Sequence, residues 1–215
     1  MKHSVTLIGF ICISLLMLFC KQKETSKELA QSSATSNTEK DSCDSPDAPI
    51  ECYFVNMPKQ LTSTMIIPDE KKDGEKLVIS GTIYKKDKSP YANVILYAYH
   101  TDSKGEYSKK GNEKGVQKWH GSHHGWCKTD KNGNYRIETV RPASYPNSNN
   151  PQHIHSAVKV PDRGKPMYIN DFLFKDDPLL KKPLTSYDRE KGGSGVMDVK
   201  KVDGIWVGKR DIVLE

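Results

Sequence analysis

Asp130-Lys131-Asn132-Gly133-Asn134-Tyr135-Arg136-Ile137-Glu138-Thr139-Val140 is the stretch on which the fold reading turns. Its first four residues have tight-turn chemistry, with Asp and Asn able to bond their own backbone and Gly free to take positive φ. The next seven alternate polar and apolar, the pattern of a strand with one face against a core. Upstream, Leu77-Val78-Ile79-Ser80-Gly81-Thr82-Ile83-Tyr84 and Asn93-Val94-Ile95-Leu96-Tyr97-Ala98-Tyr99-His100 are rich in β-branched and aromatic residues and read as two more strands. Downstream, His153 to Val160, Met167 to Phe174, and a final pair around Gly195 to Val199 and Ile205 to Leu214, joined by Asp203-Gly204, continue the series. Many short strands and no long helical pattern predict an all-β protein, an antiparallel β-sandwich with long loops at 103–125 and 145–151.

The composition agrees with one such domain carrying an appendage. In 215 residues, hydrophobic side chains make up 35% and charged ones 28%, enough for one packed core and too polar for a multi-span membrane protein. The net charge of +6 is spread along the chain, which does not imply nucleic-acid binding. Lysine pairs at 85–86, 109–110, 181–182 and 200–201 read as solvated faces.

The N-terminus reads as an address. Met1 to His3 give a positive start, and Val5 to Phe19 form an apolar run of about fifteen residues, short of the roughly twenty that cross a bilayer. Residues 1–19 are therefore expected to be a signal peptide. The run ends in Leu16-Met17-Leu18-Phe19-Cys20, which resembles a bacterial lipobox, so Cys20 is the candidate for lipidation. Phe19 departs from the small residue usual at its position; an exported form without the lipid and an uncleaved anchor are the alternatives. Residues 20–42 have almost nothing to bury and read as a flexible tether, leaving 43–215 as the folded domain. The expected location is outside the cytoplasm, held by lipid to the bacterial cell envelope. In that oxidising compartment Cys43 and Cys52 could close a short loop, or remain as two thiols; Cys127 would then be unpaired and buried in a strand.

Two loops hold the unusual chemistry. His153-Ile154-His155 at a strand start puts both imidazoles on one face, about 6.6 Å apart along the strand, while Ile154, Val158 and Val160 take the other. Such a pair is either a metal site or ordinary polar surface. Tyr145 precedes it by eight residues, between prolines that restrict the backbone. His120, His123 and His124 form a second cluster, read as a hydrogen-bonding loop over the site in preference to a zinc or copper centre, because carboxylate and Cys partners at ligand spacing are lacking.

The order of the motifs resembles the intradiol ring-cleavage dioxygenases, and more closely their exported, acylated members. The resemblance rests on Gly105-Glu106-Tyr107, Lys128 to Tyr135, Arg141-Pro142-Ala143-Ser144-Tyr145-Pro146, Pro151-Gln152-His153-Ile154-His155, and Phe172 to Pro178, and it covers about Leu77 to Asp177. It implies a β-sandwich holding one non-haem Fe(III), with Tyr107, Tyr145, His153 and His155 as metal ligands, and catechol-type substrates cleaved with O2. Tyr145 would be the departing axial ligand and proton acceptor with His155 opposite it; Tyr107 and His153 would stay equatorial. The set is chemically coherent, because ferric iron favours anionic oxygen and a bound cation stabilises phenolate over phenol. Two positions depart from the pattern. Asn150 stands where the family carries an Arg, and Asp171 falls roughly where it carries a Gln. The alternative is a non-catalytic surface lipoprotein that binds a partner on the same sandwich, with a vestigial or structural metal site.

Overall fold

Hydrophobic alternation builds two sheets that face each other. A computed structural model describes residues 42–180 and 191–215. The expected leader, Cys20, all of the expected tether except residue 42, and the lysines at 181–182 lie outside the described residues. The strands are β1 (Thr64–Ile66), β2 (Lys76–Lys85), β3 (Ile95–Tyr99), β4 (His124–Lys128), β5 (Asn134–Val140), β6 (His153–Lys159), β7 (Met167–Phe174), β8 (Val196–Met197), β9 (Val199–Val202), β10 (Ile205–Lys209) and β11 (Ile212–Leu214). One sheet runs β1-β5-β2-β10-β9, with β11 also on β2; the other runs β4-β3-β6-β7-β8. The architecture is the all-β sandwich the sequence predicts.

Most central pairs are antiparallel, including β2 with β5 and β6 with both β3 and β7. Parallel pairs occur where short strands join an edge: β1 on β5, β8 on β7, and β10 and β11 on β2. The Asp130–Gly133 turn forms, with the Gly133 amide donating to the Asp130 carbonyl at 3.0 Å. It carries the chain from β4 in one sheet to β5 in the other, so it is a corner of the sandwich.

The C-terminal reading needs correction. The expected pair of strands is four shorter ones, and only β9 and β10 form a hairpin across Asp203-Gly204, both with positive φ. Arg210-Asp211 interrupts the edge: the Arg210 amide donates to the Ser80 carbonyl, and Asp211 accepts from the Thr82 amide. That break lets β10 and β11 lie end to end along β2.

Leu77, Ile79 and Ile83 of β2, Ile137 of β5, Leu96 of β3, Ile154 and Val158 of β6, and Phe172 and Phe174 of β7 fill the space between the sheets, all essentially inaccessible. Cys127 is buried among them and unpaired, with burial pushing its thiol up to about 12. A second cluster lies on the outer face of the β4-β3-β6-β7-β8 sheet. There Tyr97 and Ala157 are covered by a 3-10 turn at Ile50–Phe54 and by Val116, at the start of a short helix, α1 (Gln117–His120). Cys43 and Cys52 are disulfide-bonded and hold this cover together. Closing a loop of this length is worth about 2.5 to 3 kcal/mol in the chain-entropy account.

Candidate metal centre

The site sits at one end of that outer face. His153 and His155 project from β6 while Ile154 between them is sealed in the core. Opposite His155, β7 carries two residues, Asn170 and Asp171, because the register shifts between the Ile154–Phe172 and Ser156–Ile169 pairs. This β-bulge re-aims the strand, and the Asp171 carboxylate pairs with His155 Nδ1 at 3.2 Å.

The two tyrosines come from loops locked to each other. Asp102-Ser103-Lys104-Gly105 makes a turn in which the Gly105 amide donates to the Asp102 carbonyl. Gly105 has φ +81°, and a Cβ there would lie 2.0 Å from the Ser144 carbonyl oxygen. Only glycine lets the Tyr107 loop approach the Tyr145 loop this closely. Asp102 organises the turn. One carboxylate oxygen accepts the Lys104 and Glu106 amides, and the other accepts the Ser108 hydroxyl and faces Lys71 at 3.4 Å. Burial alone would raise this carboxyl, but those hydrogen bonds together outweigh it and hold it at about 2. The Ala143 amide donates to the Asp102 carbonyl and the Thr101 hydroxyl to the Ala143 carbonyl, fastening both loops.

All four expected ligand side chains converge. The Tyr107 and Tyr145 hydroxyls are 2.6 Å apart; Tyr145 Oη is 3.2 Å from His153 Nε2 and 3.1 Å from His155 Nε2; the two Nε2 atoms are 3.0 Å apart. Their Nδ1 atoms face acceptors, the Pro151 carbonyl for His153 at 2.7 Å and Asp171 for His155. Both Nδ1 atoms therefore carry the hydrogen, and both Nε2 lone pairs point into one small space. Burial, then the neighbouring His155, lowers His153, so its imidazole is neutral. Two facing lone pairs at 3.0 Å repel unless a cation lies between them. Donor atoms about 2.0 to 2.1 Å from one ion and at right angles to each other are about 3 Å apart, close to the observed spacing. Burial raises both phenols, then the Tyr145 hydroxyl raises Tyr107 further, while Tyr107 lowers Tyr145 in part. A phenolate here at neutral pH requires a cation beside it. The residues present thus fit a hard, highly charged metal ion. Asp171 joins the two histidines in a potential metal-ligand group, but its contact is with the Nδ1 side of His155, which makes it an orienting partner.

The second histidine cluster does not converge on one point. His120 stacks on Tyr99 at 3.6 Å and its Nδ1 bonds the Tyr97 hydroxyl; His124 Nδ1 bonds the Gly121 carbonyl; His123 is buried without a hydrogen bond, its Nε2 3.9 Å from an Asp69 carboxylate oxygen. Their contacts are ring packing, hydrogen bonds and a carboxylate. Tyr99, on the other side of its ring, stacks on His155 at 4.7 Å, and Tyr53 packs edge-on against Tyr99 and Tyr168. This aromatic wall escaped the sequence reading because it unites residues from three distant segments.

Among the described residues no arginine is hydrogen-bonded to Asn150, which is exposed. Arg141 forms a two-pronged ion pair with Asp176, both contacts at 2.8 Å, donates to Gln152, and lies over Phe174 and Trp206. Arg163 is held by the Glu215 backbone carbonyl.

The model of the family described as dioxygenase matches residues 50–193, about two thirds of the chain. Over 115 residues the chain is 28% identical to the protocatechuate 3,4-dioxygenase beta chain of Burkholderia cepacia, covering 50% of this chain and 48% of that protein. Over 157 residues it is 29% identical to catechol 1,2-dioxygenase 1 of Acinetobacter lwoffii, covering 61% and 48%. The chain belongs to the intradiol dioxygenase family. It spans about half the length of these curated relatives. Among solved structures, the dioxygenase domain of a dioxygenase carbohydrate-binding protein fusion from Streptomyces sp. SirexAA-E superposes with a TM-score of 0.56 at 19% identity, covering 74% of this chain and 92% of that one. Catechol 1,2-dioxygenase from Acinetobacter sp. ADP1 gives 0.53 at 21%, covering 71% and 57%. These likenesses establish the intradiol dioxygenase sandwich as the fold.

Proposed function

We propose that Tyr107, Tyr145, His153 and His155 hold one Fe(III) and that the protein cleaves the ring of a catechol-type substrate between its hydroxyls, with O2. The observation that carries this reading is the pair of Nε2 lone pairs facing each other at 3.0 Å beside two phenol oxygens. Bound there, ferric iron would supply the Lewis acidity that favours the deprotonated, electron-rich form of a catechol. The chain's own groups do the rest. Pro151 and Asp171 fix the histidine tautomers, so both imidazoles offer Nε2 without a proton. Tyr145 Oη, within 3.2 Å of the other site atoms that contact it, is the group placed to accept a substrate hydroxyl proton. Tyr107 remains as the second phenolate, and Tyr99 stacked on His155 keeps water from that side of the ring.

The test is oxygen uptake with a catechol by iron-loaded protein. The reading expects uptake and an opened-ring diacid product in the wild type. In Tyr145→Phe it expects a loss of at least about a hundredfold, within the range of general-base contributions. Full turnover by that variant refutes the role of Tyr145. A colourless, metal-free preparation from iron-replete cells favours the binding-module alternative, and a coloured protein that takes up no oxygen with any catechol favours a retired enzyme.

We further propose that the domain is exported and lipid-anchored through Cys20 to the bacterial envelope. The apolar run before Cys20 supports this, as does the disulfide, a bond suited to an oxidising compartment. Labelling with a fatty-acid analogue in the native host, lost in Cys20→Ser, is the expected result.

A further inference from the structure

We infer that the site selects catechols bearing a cationic side arm over those bearing a carboxylate. This rests on the catechol reading above and concerns the same site. The argument begins with charge. Asp171 lies beside His155 with about a third of its side chain exposed, and one of its oxygens is engaged by the imidazole. Its field reaches Tyr107, Tyr145 and His153, and Asp177 adds to it at His153. Among the described residues, two guanidinium groups that could offset it are engaged elsewhere. Arg141 is paired with Asp176 and Arg163 is held by the Glu215 carbonyl, while the Arg210 guanidinium, buried over the Phe172 ring without a hydrogen-bond partner, does feel the charge of Asp171. Phe172 packs between the sheets, on the side of β7 away from the histidines. Asn150, in the loop before His153, contributes no charge. Thus, among the described residues, a chain of net +6 turns a partly exposed carboxylate toward solvent at this site.

The second observation is the aromatic rim. Tyr99 stacks on His155, Tyr53 packs edge-on to Tyr99, and Tyr168 packs on Tyr53 with half of its own surface exposed. The Tyr168 hydroxyl donates to that of Tyr53 at 3.2 Å, which fixes the exposed ring two aromatic contacts out from Tyr99. Electron-rich ring faces attract an ammonium or other organic cation and offer nothing to a carboxylate. A carboxylate on one flank and tyrosine rings on the other make a binding face for a catechol whose ring substituent ends in an amine.

The experiment is an anaerobic titration of the iron-loaded protein, followed by the visible spectrum, with three catechols carrying an aminoethyl, a methyl or a carboxyl substituent. Without dioxygen nothing turns over, so the readout is affinity. The aminoethyl compound should bind tightest and the carboxyl compound weakest, with a ratio between them of about tenfold or more, as expected for unit charges several ångströms from a partly exposed carboxylate. Raising the salt should compress that ratio. Asp171→Asn keeps an oxygen for His155 Nδ1 and removes the charge; it should bring the ratio down severalfold. Tyr168→Ala, a change at an exposed ring, should weaken the aminoethyl compound alone. Equal binding of the three, or preference for the carboxyl compound, overturns this inference while leaving the catechol reading intact. A spectrum that no catechol perturbs removes the catechol reading and this inference with it.

Discussion

On one side of β6, Ile154 and Val158 are sealed between the sheets among aliphatic and phenylalanine side chains; on the other, His153 and His155 stand half-buried among tyrosines, with Ala157 beneath the disulfide-held cover. The inner side is held by apolar burial, which depends on area and volume and tolerates many substitutions of similar size. The outer side is held by directional contacts, in which His153 Nδ1 and His155 Nδ1 each face one acceptor. One strand therefore separates stability from chemistry, and neighbouring residues should fail in different ways when changed.

The largest contrast lies between adjacent positions. His153→Ala or His155→Ala should abolish iron retention and turnover while moving the unfolding midpoint of the metal-free protein little. Ile154→Ala should cost about 2 to 5 kcal/mol of folding stability yet leave iron binding per folded molecule unchanged. Metal analysis alongside denaturant unfolding checks both, and a histidine variant that unfolds the metal-free chain as severely as Ile154→Ala breaks the comparison. Next comes the disulfide. Cys43→Ser with Cys52→Ser should cost about 2.5 to 3 kcal/mol, with hydrogen exchange rising at residues 42–57 while β2 and β5 stay protected.

The smallest effect is a pH dependence in the Tyr107 loop. Asp102 is held at about 2 in the fold against an ordinary 3.8. Its contribution is complete above about pH 4 and is lost as pH falls through 2, an amount of about 2 kcal/mol. Unfolding of the metal-free protein between pH 5 and pH 2 should show this slope, and Asp102→Asn should flatten it.

The inner side of this contrast was legible in the sequence and much of the outer side was not. Alternation in Asn134–Val140 and the apolar runs before and after it located β5, β2, β3, β6 and β7, because period-two burial leaves its mark in each strand by itself. The His-x-His spacing and the two loop tyrosines could be named in order along the chain. Their convergence depends on Gly105 against Ser144, an approach that no local pattern encodes. The three-residue β1 and the divided C-terminal edge, in which Trp206 pairs with Leu77, escaped detection because long-range parallel pairing leaves no local period. Asp171 could be seen as a departure from the family pattern, but its contact with His155 required the bulge in β7.

The most direct test of the shared coordination sphere is resonance Raman spectroscopy of the iron-loaded protein, excited in its visible charge-transfer band. The account predicts one iron per chain and tyrosinate vibrations from two phenolates, with Tyr107→Phe and Tyr145→Phe each removing its own part. An iron-loaded protein whose spectrum is indifferent to both substitutions would contradict it.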